Sequence, residues 1–449
     1  MRPLARLARA VFEAVVAECD PRAAFDRCVV AEPGAWVVDG SRVDLASVDD
    51  VRVLAIGKPA LALARSCSLA LDRAGVSIAA RRGVAAVPKA DASFSAHSIG
   101  PWLEAIPGGH PYPDSASLRA GRRMLSLCSQ PCTDGTFVVA LVGGGGSSMA
   151  EWPVVADASA EEIADLNRRL VRASLSIREV NAIRKRISAI KGGRLAMAAQ
   201  PARMLTLVVS DVPRGDVASV ASGPTVEDDT TREEVLASLE RVDFSGSAGA
   251  RLVLPGNLAE PPTWSASDRE RVRSVVLLDA TNTAEYAAMH VARSVDEVRN
   301  LGELDGGIED VARAHLDALA TLAASRPGAI CAVVSSGEAI LNVRGSGTGG
   351  RNQHLVLAAL VAARDRSDGL RDFAFLGAGT DGVDGNSSAA GAIGWHGLLD
   401  EARTRGLDAS EALDDFDSAG FFGPLGAQIV CGPTGTNVRD LRVFIGIAG

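Results

Sequence analysis

Six short, nearly continuous apolar runs punctuate the chain: residues 51–56 (VRVLAI), 137–142 (FVVALV), 205–209 (LTLVV), 275–278 (VVLL), 330–334 (ICAVV) and 373–376 (FAFL). Apolarity at almost every position, rather than at alternate ones, means that both faces of each strand are covered. This predicts parallel sheets flanked by helices. Helical spacing of apolar residues follows in 59–74, 160–176, 283–294, 307–325 and 352–364. Repeated strand–loop–helix units predict a doubly wound α/β architecture. At the start of the chain, Leu4, Leu7, Ala8, Val11, Phe12 and Val15 recur at helical spacing, with Glu13 and Glu18 between and after them. That pattern predicts a docked amphipathic helix rather than a signal peptide. The pattern loosens over 227–267, where Pro255, Gly256, Pro261, Pro262 and a Ser/Gly cluster at 245–249 fall. A domain junction is expected near residue 240, dividing the chain into 1–240 and 241–449, with a second junction allowed near 325–330. No internal repeat of fixed period is visible.

Composition narrows the function classes. The 449 residues are 47% hydrophobic, enough for two or three packed domains. Aromatic residues make up 4% while glycines number 46, so the expected core is built on Ala, Val and Leu with many tight turns. Stacking platforms for single-stranded nucleic acid are not expected. The net charge is −9 and no long basic stripe occurs, which argues against a nucleic-acid partner. A local cluster of Lys and Arg can still meet a small anion. Seven scattered cysteines without paired spacing fit reduced thiols and a cytoplasmic location. Cys128 and Cys132 lack the His or Cys neighbours of a zinc site. No segment reaches the ~18 apolar residues of a membrane helix.

Candidate chemistry concentrates where strands give way to glycine. In AIGKPA (55–60), Lys58 precedes a helix opened by Pro59; free N–H groups and a full positive charge make an anion site there. A surface lysine beside a tight turn is the plainer alternative. Gly143, Gly144, Gly145, Gly146, Ser147 and Ser148 follow a buried strand. Four glycines carry a high chain-entropy cost, so the loop reads as one whose N–H groups and hydroxyls cradle phosphate oxygens. It lacks the lysine of a Walker motif. The stretch from Asn181 to Arg194 (NAIRKRISAIKGGR) carries five basic residues. Lys191, ahead of a glycine pair, could sit at a loop that meets a ligand, against the alternative of a solvated basic face. Asp211 ends a buried strand ahead of ASGPT (221–225) and is a candidate for Mg²⁺, against a turn-forming aspartate.

Further along, Glu338 (in SGE) and a glycine-rich segment lead to Arg351, Asn352, Gln353 and His354. A guanidinium at that helix start can grip a carboxylate or a transferring phosphoryl group. Asp381 and Asp384 in GTDGVDG can hold a metal or accept a proton, although the calcium-loop spacing is not met. Thr436 and Asn437 in GPTGTNV add a hydroxyl and an amide. Of six histidines, His110 in GGHPYPD lies in a site-like loop; no Ser/His/Asp triad is legible.

The motifs GGHPYPD, GGGGSS, NAIRKRISAIKGGRLA, SDV with ASGPT, GGRNQ, GTDGVDG and GPTGTNVRDL occur in the order found in the glycerate 2-kinase family. This is the two-domain type whose C-terminal part is called the MOFRL domain, and the chain resembles it from about Leu7 to Gly446. The resemblance implies an N-terminal Rossmann-like domain with a doubly wound parallel sheet and a C-terminal α/β region with the MOFRL domain at about 328–446. It implies an active site in the interdomain cleft. It also implies ATP- and Mg²⁺-dependent phosphorylation of the 2-hydroxyl of D-glycerate or a close hydroxy acid. By motif match, Lys58 and Arg351 correspond to the family's essential lysine and arginine. Nucleotide phosphates are then expected on residues 143–148 with Lys191, Thr436 and Asn437. The acceptor is expected near His110, Arg194, Glu338, Asn352, His354 and Asp384, with Asp211 or Asp381 orienting the metal or the hydroxyl. The implied partners are a nucleotide and a small hydroxy acid, with no nucleic acid or membrane; a homodimer is allowed. Some family members have been labelled hydroxypyruvate reductases, but no GxGxxG with a following acidic ribose ligand supports that label here. Four departures stand out. His354 replaces a Glu; Asn386, Ser387 and Ser388 replace Pro, Thr and Asp; Arg186 replaces a His; and Ser148, Met149 and Ala150 follow the glycine loop in place of Ala-Leu-Leu. They bear on the acceptor more than on the phosphoryl chemistry.

Overall fold

The computed structural model describes residues 2–89, 99–212, 216–364 and 370–449. They form two compact units, Pro21–Leu277 and the combination of Met1–Asp20 with Leu278–Gly449.

The first unit is built on a six-stranded sheet. In space its strands run Leu103–Gly108, Arg81–Pro88, Asp50–Ile56, Thr136–Gly143, Arg203–Val209, Val272–Leu278. Numbered along the chain, that order is 3-2-1-4-5-6, the dinucleotide-fold arrangement, whose direction reverses between the first and fourth strands. The four pairings joining the first five strands are parallel, with Ile56 beside Val142 and Ala86. Every residue of Thr136–Gly143 is buried, as its unbroken apolarity predicts. Leu54, Ile56, Val138, Ala140 and Val142 share one core with Met124 and Leu127 of the helix Ser115–Cys128. That helix starts at a reciprocal cap between Asp114 and Ser117. At its other end the buried Arg52 donates to the carbonyls of Leu127, Cys128, Gln130 and Pro131. A guanidinium in a strand thus satisfies backbone oxygens that the helix cannot.

The second unit carries another six-stranded sheet, in the order Glu297–Glu303, Ile330–Gly337, Asp440–Ala448, Leu370–Gly379, Gly391–Trp395, Gln428–Ile429. Helices Pro3–Glu18 and Ala280–Val291 pack together on the sheet, and helices Ile308–Ser325 and Arg351–Arg364 form a second pair.

Three expectations change. The N-terminal helix buries Leu4, Ala8, Val11, Phe12 and Val15 as predicted, but it belongs to the second unit. The boundary lies at 277/278 rather than near 240. The Pro/Gly-rich stretch resembles a linker, yet Leu252, Val253 and Leu258 bury against Ile163, Leu166 and Ile183 of the first unit. Finally, the sheet holding the runs at 330–334 and 373–376 is mixed rather than parallel, the first run keeping one parallel neighbour, Glu297–Glu303. Both runs pair antiparallel with the last strand, Asp440–Ala448. Helices on both faces demand continuous apolarity whatever the strand direction, so the pattern could not reveal it.

Candidate active site

Four loops converge at the carboxyl ends of the first unit's parallel strands, at the point where strand order reverses. Such crevices are where open α/β sheets bind ligands. The first loop carries Lys58, half-buried, whose backbone N–H donates to the Gly144 carbonyl at 2.9 Å. Gly57 has φ +105°, and a Cβ there would overlap the carbonyl oxygens of Gly143 and Gly144. The second loop is the glycine run itself. A Cβ on Gly144 would overlap the Asp211 carboxylate, which places Asp211, at the end of the next strand, directly beside the loop. The glycines are therefore required by close protein packing as well as by any ligand: Gly143 abuts Pro59, and Gly146 abuts Ala221 and Ile56.

The loop's hydroxyls are both fixed. Ser147 Oγ lies 2.8 Å from Ser222 Oγ, which donates to Asn181 Oδ1 at 3.0 Å. Ala221 and Ser222 have φ of +51° and +59°, an uncommon conformation for residues with a Cβ and a strain that surrounding packing must hold. Ser148 Oγ lies 3.0 Å from the Gly145 carbonyl and 3.1 Å from Nδ1 of His110, on the fourth loop. Partial burial and the Lys58 charge lower the His110 pKa below its ordinary value. Asp211 beside the glycine loop matches what Mg²⁺ asks of a protein, one or two carboxylates with the rest supplied by phosphates and water. No group of three His, Cys, Asp or Glu able to hold a metal occurs among the described residues, so a dedicated protein cage is not offered.

The basic run serves the protein rather than an open surface. Lys191 is buried in an ion pair with Glu151, and burial lowers its pKa against the pull of that carboxylate. Arg194 donates to the carbonyls of Lys185, Lys191 and Glu260. Lys185 pairs with Asp228 at 3.1 Å, and Arg186 with Glu260 at 2.9 Å. Lys191 and Arg194 thus spend their donors on protein oxygens, not on a ligand-facing position as expected.

In the second unit a cavity of about 750 Å³ is lined by Glu338, Arg351, Asp381, Asp384, Asn437 and Asp440, with an apolar rim of Ile340, Val343 and Val383. Arg351 begins the helix Arg351–Arg364 and holds Asp440 through two bonds, Nε–Oδ2 at 2.6 Å and NH2–Oδ1 at 3.1 Å; NH1 reaches Glu338 at 3.1 Å. Burial works against the Arg351 charge, but Asp440 and Glu338 outweigh it and raise its pKa. Burial raises the Glu338 pKa, opposed by Arg351. Asp381 accepts from the Val383 N–H at 3.1 Å.

Three expected acceptor ligands are buried, although Asp384 still lines the cavity. Asp384 is buried and accepts from the backbone N–H groups of Asn352 at 3.0 Å and Gln353 at 2.9 Å, and from both side-chain amides. It caps the helix that carries Arg351, with Asn352 as its partner. His354 is buried and stacks on Phe416, ring centroids 5.1 Å apart; it does not line the cavity. Thr436 is also buried, and its hydroxyl finds no hydrogen-bond partner among the described residues. Asp440 went unrecognised as a site residue although it lies in the closing motif GPTGTNVRDL; only the register of the last strand brings it to Arg351. Ser222 and Asn181 were missed for the same kind of reason.

Residues 7–253 match the profile of a domain of unknown function, DUF4147, and residues 331–440 match that of the MOFRL family. The D-glycerate 2-kinase of Thermotoga maritima is 32% identical over 88% of this chain and 91% of its own length. The chain belongs to the glycerate 2-kinase family. Human glycerate kinase is 30% identical, covering 98% of this chain and 93% of its own. A crystal structure of glycerate kinase from Thermotoga maritima superposes with a TM-score of 0.79 at 28% identity, covering 99% of both chains. The family assignment and the two-domain α/β fold agree with what the ordered motifs imply. Among the described residues no helix is long and apolar enough to cross a membrane.

Proposed function

We propose that the chain is an ATP- and Mg²⁺-dependent kinase that phosphorylates the 2-hydroxyl of D-glycerate or a closely related hydroxy acid. The observation that carries this reading is the assembly of Lys58, the glycine loop and Asp211 at the switch point of a 3-2-1-4-5-6 sheet. Phosphoryl transfer asks mainly for positioning and charge neutralisation, and these groups supply both. Backbone N–H groups of residues 143–148 hold phosphate oxygens. Lys58 neutralises charge on the transferring group, and Asp211 holds the magnesium. Bound magnesium would screen the phosphate charge. In the second unit Arg351 is the anion-binding group, kept charged and oriented by Asp440 and Glu338. Lys191, Arg194, Asp384 and His354 position loops and a helix in this reading rather than touch ligand. All seven cysteines are free thiols, which supports a reducing, cytoplasmic setting.

The test is ADP release from ATP and Mg²⁺ across a panel of small hydroxy acids. Release with D-glycerate supports the assignment. Release with another acid alone moves the substrate and keeps the class; release with none of them removes the kinase reading.

A further inference from the structure

The hydroxyl that accepts the phosphoryl group must lose a proton; Asp381, the carboxylate expected to take it, lies in the second unit and already accepts from the Val383 N–H, and the first unit's other assigned groups do not serve. Lys58 is there for its charge, and a carboxylate engaged with magnesium is a poor base. The hydrogen bonds around Ser148 supply a candidate. A serine hydroxyl has one proton to give. Its oxygen lies 3.0 Å from the Gly145 carbonyl, which can only accept, and 3.1 Å from His110 Nδ1. Both bonds form together in one way only: Ser148 donates to Gly145, and Nδ1–H of His110 donates to Ser148. That tautomer leaves Nε2 as a bare lone pair, on a residue that is exposed.

The ring is held where the chemistry would occur. Gly108 packs so closely on Met149 that a Cβ there would overlap its backbone, and this brings the His110 loop onto the turn that follows the glycine run. The His110 ring comes within van der Waals distance of where a Cβ on Gly145 would stand. Of the charged groups nearby, Lys58 acts on the ring directly. Asp114, four residues along the same loop, is engaged by Lys89 at 2.7 Å and by Ser117. Asp211 lies across Gly144. Burial and the Lys58 charge both favour the neutral ring, the form that can accept a proton.

We propose that His110 is the general base of the reaction, its Nε2 taking the proton of the acceptor hydroxyl while Ser148 fixes the tautomer through Nδ1. This rests on the kinase reading above. The hydroxyl oxygen forms its bond to the γ-phosphorus as the bond from that phosphorus to the bridging oxygen of the departing ADP breaks. The hydroxyl's O–H electron pair stays with the attacking oxygen, and its proton passes to Nε2. The resulting imidazolium returns the proton to solvent as product leaves.

The test compares wild type with His110→Gln and His110→Asn, whose amides can still donate to Ser148 but cannot serve as the base. Positioned bases of this kind contribute about 10²–10⁴-fold. Both variants should lose kcat by that order, with KM for ATP nearly unchanged. The wild-type acid limb of kcat/KM, falling below an apparent pKa under the ordinary histidine value, should vanish in both. A purely structural role would lower kcat without removing the limb. Variants that keep near-wild-type kcat, or that keep the acid limb, overturn the proposal and leave the kinase reading standing. A wild-type enzyme that releases no ADP with any hydroxy acid overturns both. Unchanged melting temperatures show that the variants are folded; if one is not, the other still decides.

Discussion

The two units carry their anion-binding groups in opposite ways. In the first unit the cradle is made of backbone. Lys58 stands beside a loop whose shape is set by contacts no side chain could share, Gly57 against Gly143 and Gly144 against Asp211. In the second unit the cradle is made of charge. Arg351 is already held by two carboxylates, Asp440 almost fully buried and Glu338 half-exposed. A backbone cradle is fixed by packing. A charge cradle is fixed by the very ion pairs a ligand would join, so its arginine is both ligand and framework.

That contrast can be broken first by removing each cation. Both Lys58→Ala and Arg351→Ala should lower kcat by about 10³-fold or more, the order seen when a transition-state cation is lost. Arg351→Ala should also lower the melting temperature, because it takes from the buried Asp440 carboxylate its two bonds to the guanidinium. An unchanged melting temperature for Arg351→Ala would show that its ion pairs are not part of the framework.

The next test concerns the basic run. If Lys191 is framework, Lys191→Met should cost about 3–5 kcal/mol in denaturant unfolding by stranding the Glu151 charge. The double variant with Glu151→Leu should recover most of that loss. If instead Lys191 binds phosphate, the single variant would keep its stability and raise KM for ATP. The smallest expected effect belongs to Gly144→Ala. Its methyl must displace the Asp211 carboxylate, costing about 1–3 kcal/mol in stability, as overpacking does. It should weaken the magnesium dependence of activity more than KM for the hydroxy acid. An unchanged magnesium titration would separate Asp211 from the metal.

These residues also mark what could be read from sequence. The strands were legible because both faces of the sheets are covered, so burial shows as unbroken apolarity from Phe137 to Val142. Lys58, the glycine run and Asp211 were legible because turns after strands force glycine and polar residues into fixed places. The ion pair of Lys191 was not legible because a lysine's charge is visible in sequence but its partner, Glu151, is 40 residues away. Asp384 reads as a metal or acceptor ligand until the helix it caps folds against it. Asp440 reaches Arg351 across 89 residues through the pairing of Asp440 with Gly337 and Gly379 on the two neighbouring strands. Local pattern encodes elements and turns; ion pairs across the fold depend on register, which a single chain's pattern does not state.

The central claim, that these groups transfer a phosphoryl group to a hydroxy acid, is tested most directly by phosphorus NMR of the product made from ATP, Mg²⁺ and D-glycerate. The account predicts a phosphomonoester on the oxygen of carbon 2, formed in step with ADP and absent with Lys58→Ala. A phosphoryl group on carbon 3, or ATP left intact beside D-glycerate and its close relatives, would contradict it.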